Sequence, residues 1–126
     1  MRRSDQRRDA VFALYQRQVT ERPLADLLAD AKPFTRELAE GTAEHTAEID
    51  AEIGSLSRGW TLERIAPLDL NIMRVALFEI HHRDDIPAEV AIDEAVGLAQ
   101  EFCGADAPDF VNGILGAAAR QLGVGT

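Results

Sequence analysis

Apolar residues recur at steps of three and four almost from end to end of this chain, and strict alternation is nearly absent. A period near 3.6 collects such residues on one stripe of a helix, whereas a strand needs a period of two. The chain therefore reads as all helical. Its prolines sit where stripes begin or loops fall, at 23, 33, 67, 87 and 108, so they divide the pattern instead of interrupting it.

Seven segments follow. Ser4 is a candidate cap for a first helix with Ala10, Val11, Leu14 and Tyr15 on its stripe, and Pro23 opens a short second one carrying Leu24, Leu27 and Leu28. From Pro33 one long helix is expected to run through Phe34, Leu38, His45, Ile49, Ile53 and Leu56 to the Arg58-Gly59 pair. Trp60 to Ile65 reads as a connector helix with an aromatic anchor. The fifth helix, Pro67 to about Arg83, has apolar residues over more than half its circumference and so needs neighbours on several sides. A loop at Asp84 to Pro87 leads to a sixth helix ending near Phe102, and Pro108 opens a seventh through Leu122. The expectation is a compact bundle of about seven helices, with residues 1–126 as one domain and residues 1–8 as an arm leading into the first helix.

At 126 residues such a bundle can bury a core unaided by disulfide or metal. The single cysteine, Cys103, has no intrachain partner, and no stretch has the roughly 18 apolar residues of a membrane span. Both fit a cytoplasmic protein. Charge is unevenly spread. The chain carries a formal net charge of −9, yet Arg2, Arg3, Arg7 and Arg8 crowd its start. A basic arm on an acidic body suggests a nucleic-acid contact at one edge and a different partner elsewhere.

Helical register puts Arg7 and Arg8 on the same side as Val11, Leu14 and Tyr15. With charges excluded from the core, both guanidiniums are expected at the rim of the bundle, able to fork onto phosphates; a solvated helix start explains them as well. Glu79-Ile80-His81-His82 has the Glu-x-x-His spacing of paired-metal helices but stands alone, so no metal site is expected from it. His45 reads as a packing residue and Cys103 as a small, partly buried one. In Phe110-Val111-Asn112-Gly113, glycine and asparagine inside a helix cost about 1 kcal/mol relative to alanine. Close helix packing is the favoured reason; the other is an exposed reader of unpaired bases, with Phe110 to stack on them.

Taken in order, Arg7-Arg8-Asp-Ala-Val-Phe-Ala-Leu-Tyr15, Glu48-Ile-Asp50, Asp69-Leu-Asn-Ile-Met-Arg74-Val-Ala-Leu-Phe-Glu79, Val90-Ala-Ile-Asp-Glu94 and Phe110-Val-Asn112-Gly113-Ile-Leu resemble the NusB family of bacterial transcription antitermination factors. The likeness covers almost the whole chain. It implies two packed helical subbundles, no catalysis and no cofactor. It also implies binding to boxA-type single-stranded RNA of nascent ribosomal leaders together with a ribosomal protein, NusE, and through these an indirect place in the antitermination complex of RNA polymerase. On this resemblance Arg2, Arg3, Arg7, Arg8, Phe110 and Asn112 are the RNA-binding candidates. Tyr15, Asp69 and Asp106 are the candidates for the protein partner.

The chain departs from the family pattern where charge matters. Its arm is broken by Ser4, Asp5 and Gln6, and Asp109 stands where lysine is common. Two alternatives remain open at this point: a domain like those attached to rRNA cytosine methyltransferases, and a homodimeric interaction protein that no longer binds RNA.

Overall fold

The computed structural model describes residues 1–59 and 61–123, and among these the secondary structure is entirely helical. Seven α-helices run in order: α1 (Arg3–Thr20), α2 (Leu24–Leu27), α3 (Pro33–Glu44), α4 (Thr46–Leu56), α5 (Pro67–His82), α6 (Ala88–Phe102) and α7 (Ala107–Gln121). No helix among the described residues is long and apolar enough to cross a membrane. Pro33, Pro67 and Pro108 lie in the first turn of α3, α5 and α7, where the missing N–H is not needed.

The apolar α5 is central, as its composition predicts. It packs against α1 and α3 in one set of helices and against α4, α6 and α7 in the other. Ile72, Met73, Val75 and Leu77 are buried along it, closing on Leu14 and Leu38 from the first set and Ile49, Ile53 and Leu115 from the second. Side chains of this size each contribute roughly 1.5–3 kcal/mol on burial, which makes this shared helix the seam that joins the two sets.

Three local expectations fail. The long third helix is two, because the backbone turns at His45 (φ −106°, ψ 15°), whose N–H reaches both the Gly41 and Thr42 carbonyls. No glycine or proline marks the break. The Thr46 hydroxyl donates to the Thr42 carbonyl at 2.9 Å, a back-bond that bends helices, and the His45 ring stacks on Phe78 at 5.9 Å between centroids. Ser4 is not a cap either: α1 begins at Arg3, and the Ser4 hydroxyl donates to Glu94 on α6 at 2.6 Å. The connector shrinks to a single 3₁₀ turn at Leu62–Arg64, and the expected anchor Trp60 lies outside the described residues.

Two polar clusters tie the helices together. Arg74 on α5 forks onto Asp50 of α4 at 2.8 and 2.9 Å and also donates to Gln18 of α1 at 3.0 Å and to Asn71 at 3.1 Å. Asn71 is buried but satisfied, its amide donating to Gln18 at 2.9 Å and to the Pro67 carbonyl at 2.8 Å. This fixes the register of α1, α4 and α5 in a way apolar packing alone does not.

Candidate nucleic-acid interface

The first helix presents its arginines unequally. Arg7 is not at the rim. Its side chain is buried, and its Nε lies 2.9 and 3.0 Å from the Glu79 carboxylate oxygens while Nη2 lies 2.6 Å from one of them. Its remaining amino group lies 3.2 Å from Glu94. The expectation failed because it treated Arg7 and Arg8 as one charged pair excluded from the core. Glu79, 72 residues away on α5, supplies the counter-charge that makes burial possible. Desolvation pushes the Glu79 carboxyl upward, against the pull of the Arg7 fork. The Glu79 carboxylate of the Glu-x-x-His spacing faces Arg7 in the core.

The other arm residues are reachable but engaged. Arg2 and Arg3 are exposed, Arg2 lying 3.4 Å from Asp5 and Arg3 3.4 Å from Asp85, and Arg3 also stands 4.3 Å above the Phe34 ring. Arg8, half-buried, lies between Asp5 at 3.3 Å and Asp9 at 3.2 Å. Asp85 is itself held by Arg83, whose hydrogen bonds lower its carboxyl to about 2. The arm therefore offers guanidiniums already sharing carboxylates, and a phosphate must compete for them.

Helix α7 carries the second candidate surface. Asn112 and Gly113 are exposed and Phe110 is half-buried. A Cβ added at Gly113 would meet nothing within 4 Å, so close helix packing is not the reason for this glycine. Close approach occurs instead at Gly41, where an added Cβ would lie 2.1 Å from the Phe78 ring. Phe110 lines two grooves. One, of about 650 Å³, lies between the end of α4 and α7 and is edged by Ser55, Arg58, Asp109, Arg120 and Gln121. The other, of about 320 Å³, is lined by Arg64, Ile65, Ala66, Asp69, Asp106 and Ala107.

The structure thus brings Asp69, Asp106 and Phe110 to one groove, although 37 residues separate the two acids. Tyr15, half-buried on α1, does not line it. Next to this groove the Cys103 thiol is pushed up to about 12 by burial and by its hydrogen bond with Asp69, which makes it a poor nucleophile. Sequence reasoning passed over Arg58 and Arg120. The Arg58-Gly59 pair was legible only as a helix end; its backbone adopts φ 47° and 90°, which turns Arg58 toward the α7 groove.

Known proteins resemble this chain in sequence and fold. A family profile described as the NusB family matches residues 4–120. A relative from Desulforamulus reducens, named as transcription antitermination protein NusB, is 51% identical over 83 residues, covering 66% of this chain and 58% of its own length. Its counterpart of the same name from Frankia casuarinae is 44% identical over 107 residues, covering 82% of this chain and 79% of its own. The solved structure of T. maritima NusB superimposes with a TM-score of 0.89 at 29% identity, over 96% of this chain and 92% of that one.

Proposed function

The chain belongs to the NusB family, and on that footing we propose that it is a non-catalytic adaptor that binds boxA-type single-stranded RNA together with the ribosomal protein that serves as NusE. The observation that carries this reading is the position of Phe110 between two grooves of opposite character. On one side stand Arg58 and Arg120 against a single acid, Asp109; on the other stand Asp69 and Asp106 against a single base, Arg64.

In this reading the RNA follows the arginine-edged groove. An unpaired base stacks on the Phe110 ring, Asn112 supplies donors and acceptors to a base edge, and Arg58 and Arg120 meet phosphates. Arg2, Arg3 and Arg8, at the other end of α5 beside Asp85, offer a second and separate basic contact, while Arg7 acts only by holding α1 in place. The groove with Asp69 and Asp106 takes the protein partner. Ribosomal proteins are normally basic, so a chain with a net charge of −9 speeds their association and repels stray RNA. Few phosphate contacts on an acidic body make RNA binding by the isolated chain weak and sensitive to salt.

The test is binding of a boxA-type RNA across a salt series, with and without the ribosomal protein, for wild type, Arg58→Ala/Arg120→Ala and Arg2→Ala/Arg3→Ala. Each double variant is expected to flatten the log–log salt slope by about 1.4, because each phosphate neutralised on a single strand accounts for about 0.7 of that slope. Wild-type affinity and slope in both variants would overturn the reading, as would the absence of any complex with the ribosomal protein.

A further inference from the structure

At the break between α3 and α4, two imidazoles and a carboxylate converge. His45 ends α3 and precedes α4, Glu48 follows one turn later, and His82 is the last residue of α5. The Glu48 carboxylate oxygen meets Nδ1 of His45 directly and lies 3.3 Å from Nε2 of His82. The two rings stack with centroids 3.9 Å apart and planes 19° apart, and Phe78 lies against both, at 5.9 and 5.4 Å. We propose that His45, Glu48 and His82 form a binding site for a divalent transition-metal ion of the zinc class.

The direction of the ring nitrogens decides what the cluster can hold. Both are aimed at the same Glu48 oxygen. The rings lie face to face with planes 19° apart, so a shared ion requires one of them to turn; the exposed His82 ring has room to turn its in-plane lone pair onto an ion held by His45 and Glu48. Zinc takes imidazole nitrogen and carboxylate oxygen at about 2.0–2.2 Å, which places neighbouring ligand atoms of a tetrahedron about 3.3–3.4 Å apart. His82 and Glu48 already stand at that spacing, and the ligand atoms of all three residues lie within 4.8 Å of one another. Glu48 is 59% exposed and free to draw back from His45 to admit an ion.

Imidazole and carboxylate together suit zinc, nickel or copper and disfavour magnesium or calcium, which want oxygen alone. An open groove lined by Glu48, Glu52, Ser55, His81 and His82 gives access and leaves the fourth position to water. A bound ion would clamp the α3–α4 break to the end of α5. His81, paired with Glu52 at 2.7 Å, is adjacent but outside the three-ligand set and serves as the control.

The experiment uses the untagged full chain. Zinc chloride is titrated calorimetrically in a non-coordinating buffer, and cobalt(II) is added separately to read its visible absorption. Wild type is expected to take one equivalent of zinc and to show tetrahedral cobalt bands. His82→Ala and Glu48→Gln, both at exposed side chains, should each weaken zinc by more than the roughly tenfold typical of losing an outer-shell partner. His81→Ala should stay within about twofold of wild type, well short of that outer-shell loss. Zinc binding that is equal in wild type and both ligand variants would overturn the site, and so would a wild type that takes no equivalent of zinc.

Discussion

The Arg7 guanidinium and the Glu79 carboxylate form a forked ion pair at 2.6 to 3.0 Å, with side chains only 4% and 0% exposed, joining the first turns of α1 to the last turns of α5. Removing one partner leaves the other charge buried. Arg7→Ala or Glu79→Ala is therefore expected to cost about 3–5 kcal/mol, whereas Arg7→Met combined with Glu79→Leu should come close to neutral. Urea unfolding midpoints check both. Weakened RNA binding by an Arg7 variant would then report unfolding of α1 and not a missing phosphate ligand.

Two glycines should respond in opposite directions to the same change. Gly41→Ala drives a methyl into the Phe78 ring, 2.1 Å from the nearest carbon, and should cost about 1–3 kcal/mol by overpacking. Gly113→Ala meets open space in mid-helix and should stabilise by about 0.5–1 kcal/mol. Thermal melts of the two variants give the comparison. A destabilised Gly113→Ala would mean that α7 needs this glycine for something other than room.

Cys103 should be nearly inert. With its thiol at about 12, the thiolate at pH 8 is about one part in ten thousand, against roughly a quarter for a free cysteine. Alkylation should be slow at pH 8 and should rise about tenfold for each pH unit up to about pH 11 while the fold holds. Asp69→Asn removes the negative neighbour that helps keep the proton on sulfur, so it should speed alkylation at fixed pH. Iodoacetamide kinetics followed by mass spectrometry measure this, and equal rates in the two proteins would show that Asp69 does not govern the thiol.

Much of the bundle was legible because it depends on local signals. Pro33, Pro67 and Pro108 start helices, a stripe of period 3.6 shows which face is buried, and the apolar girth of α5 marks it as central. The break at His45 was not legible. Weak helix formers such as Thr42 and Thr46 flank it without marking a stop, and what bends the chain there is a hydroxyl back-bond together with rings supplied by α5.

The candidate site divides along the same line. The exposed Arg2 and Arg3 follow from charge near their own positions, whereas the exposure of Asn112 goes against the favoured reading of close packing. Arg58 joins Arg120 across a groove only when α4 meets α7, and Asp69 joins Asp106 only when the start of α5 meets the start of α7.

By itself the sequence determined the class of fold, its central helix and its family likeness, because helix periodicity, proline placement and motif order are properties of short stretches of chain. Tertiary structure alone decided which arginine faces solvent and which lies in the core, why one glycine is needed for packing and another is not, and which histidines meet. Those outcomes depend on counter-charges and neighbours from helices dozens of residues away, and the energy of burying a charge is set by what it meets there.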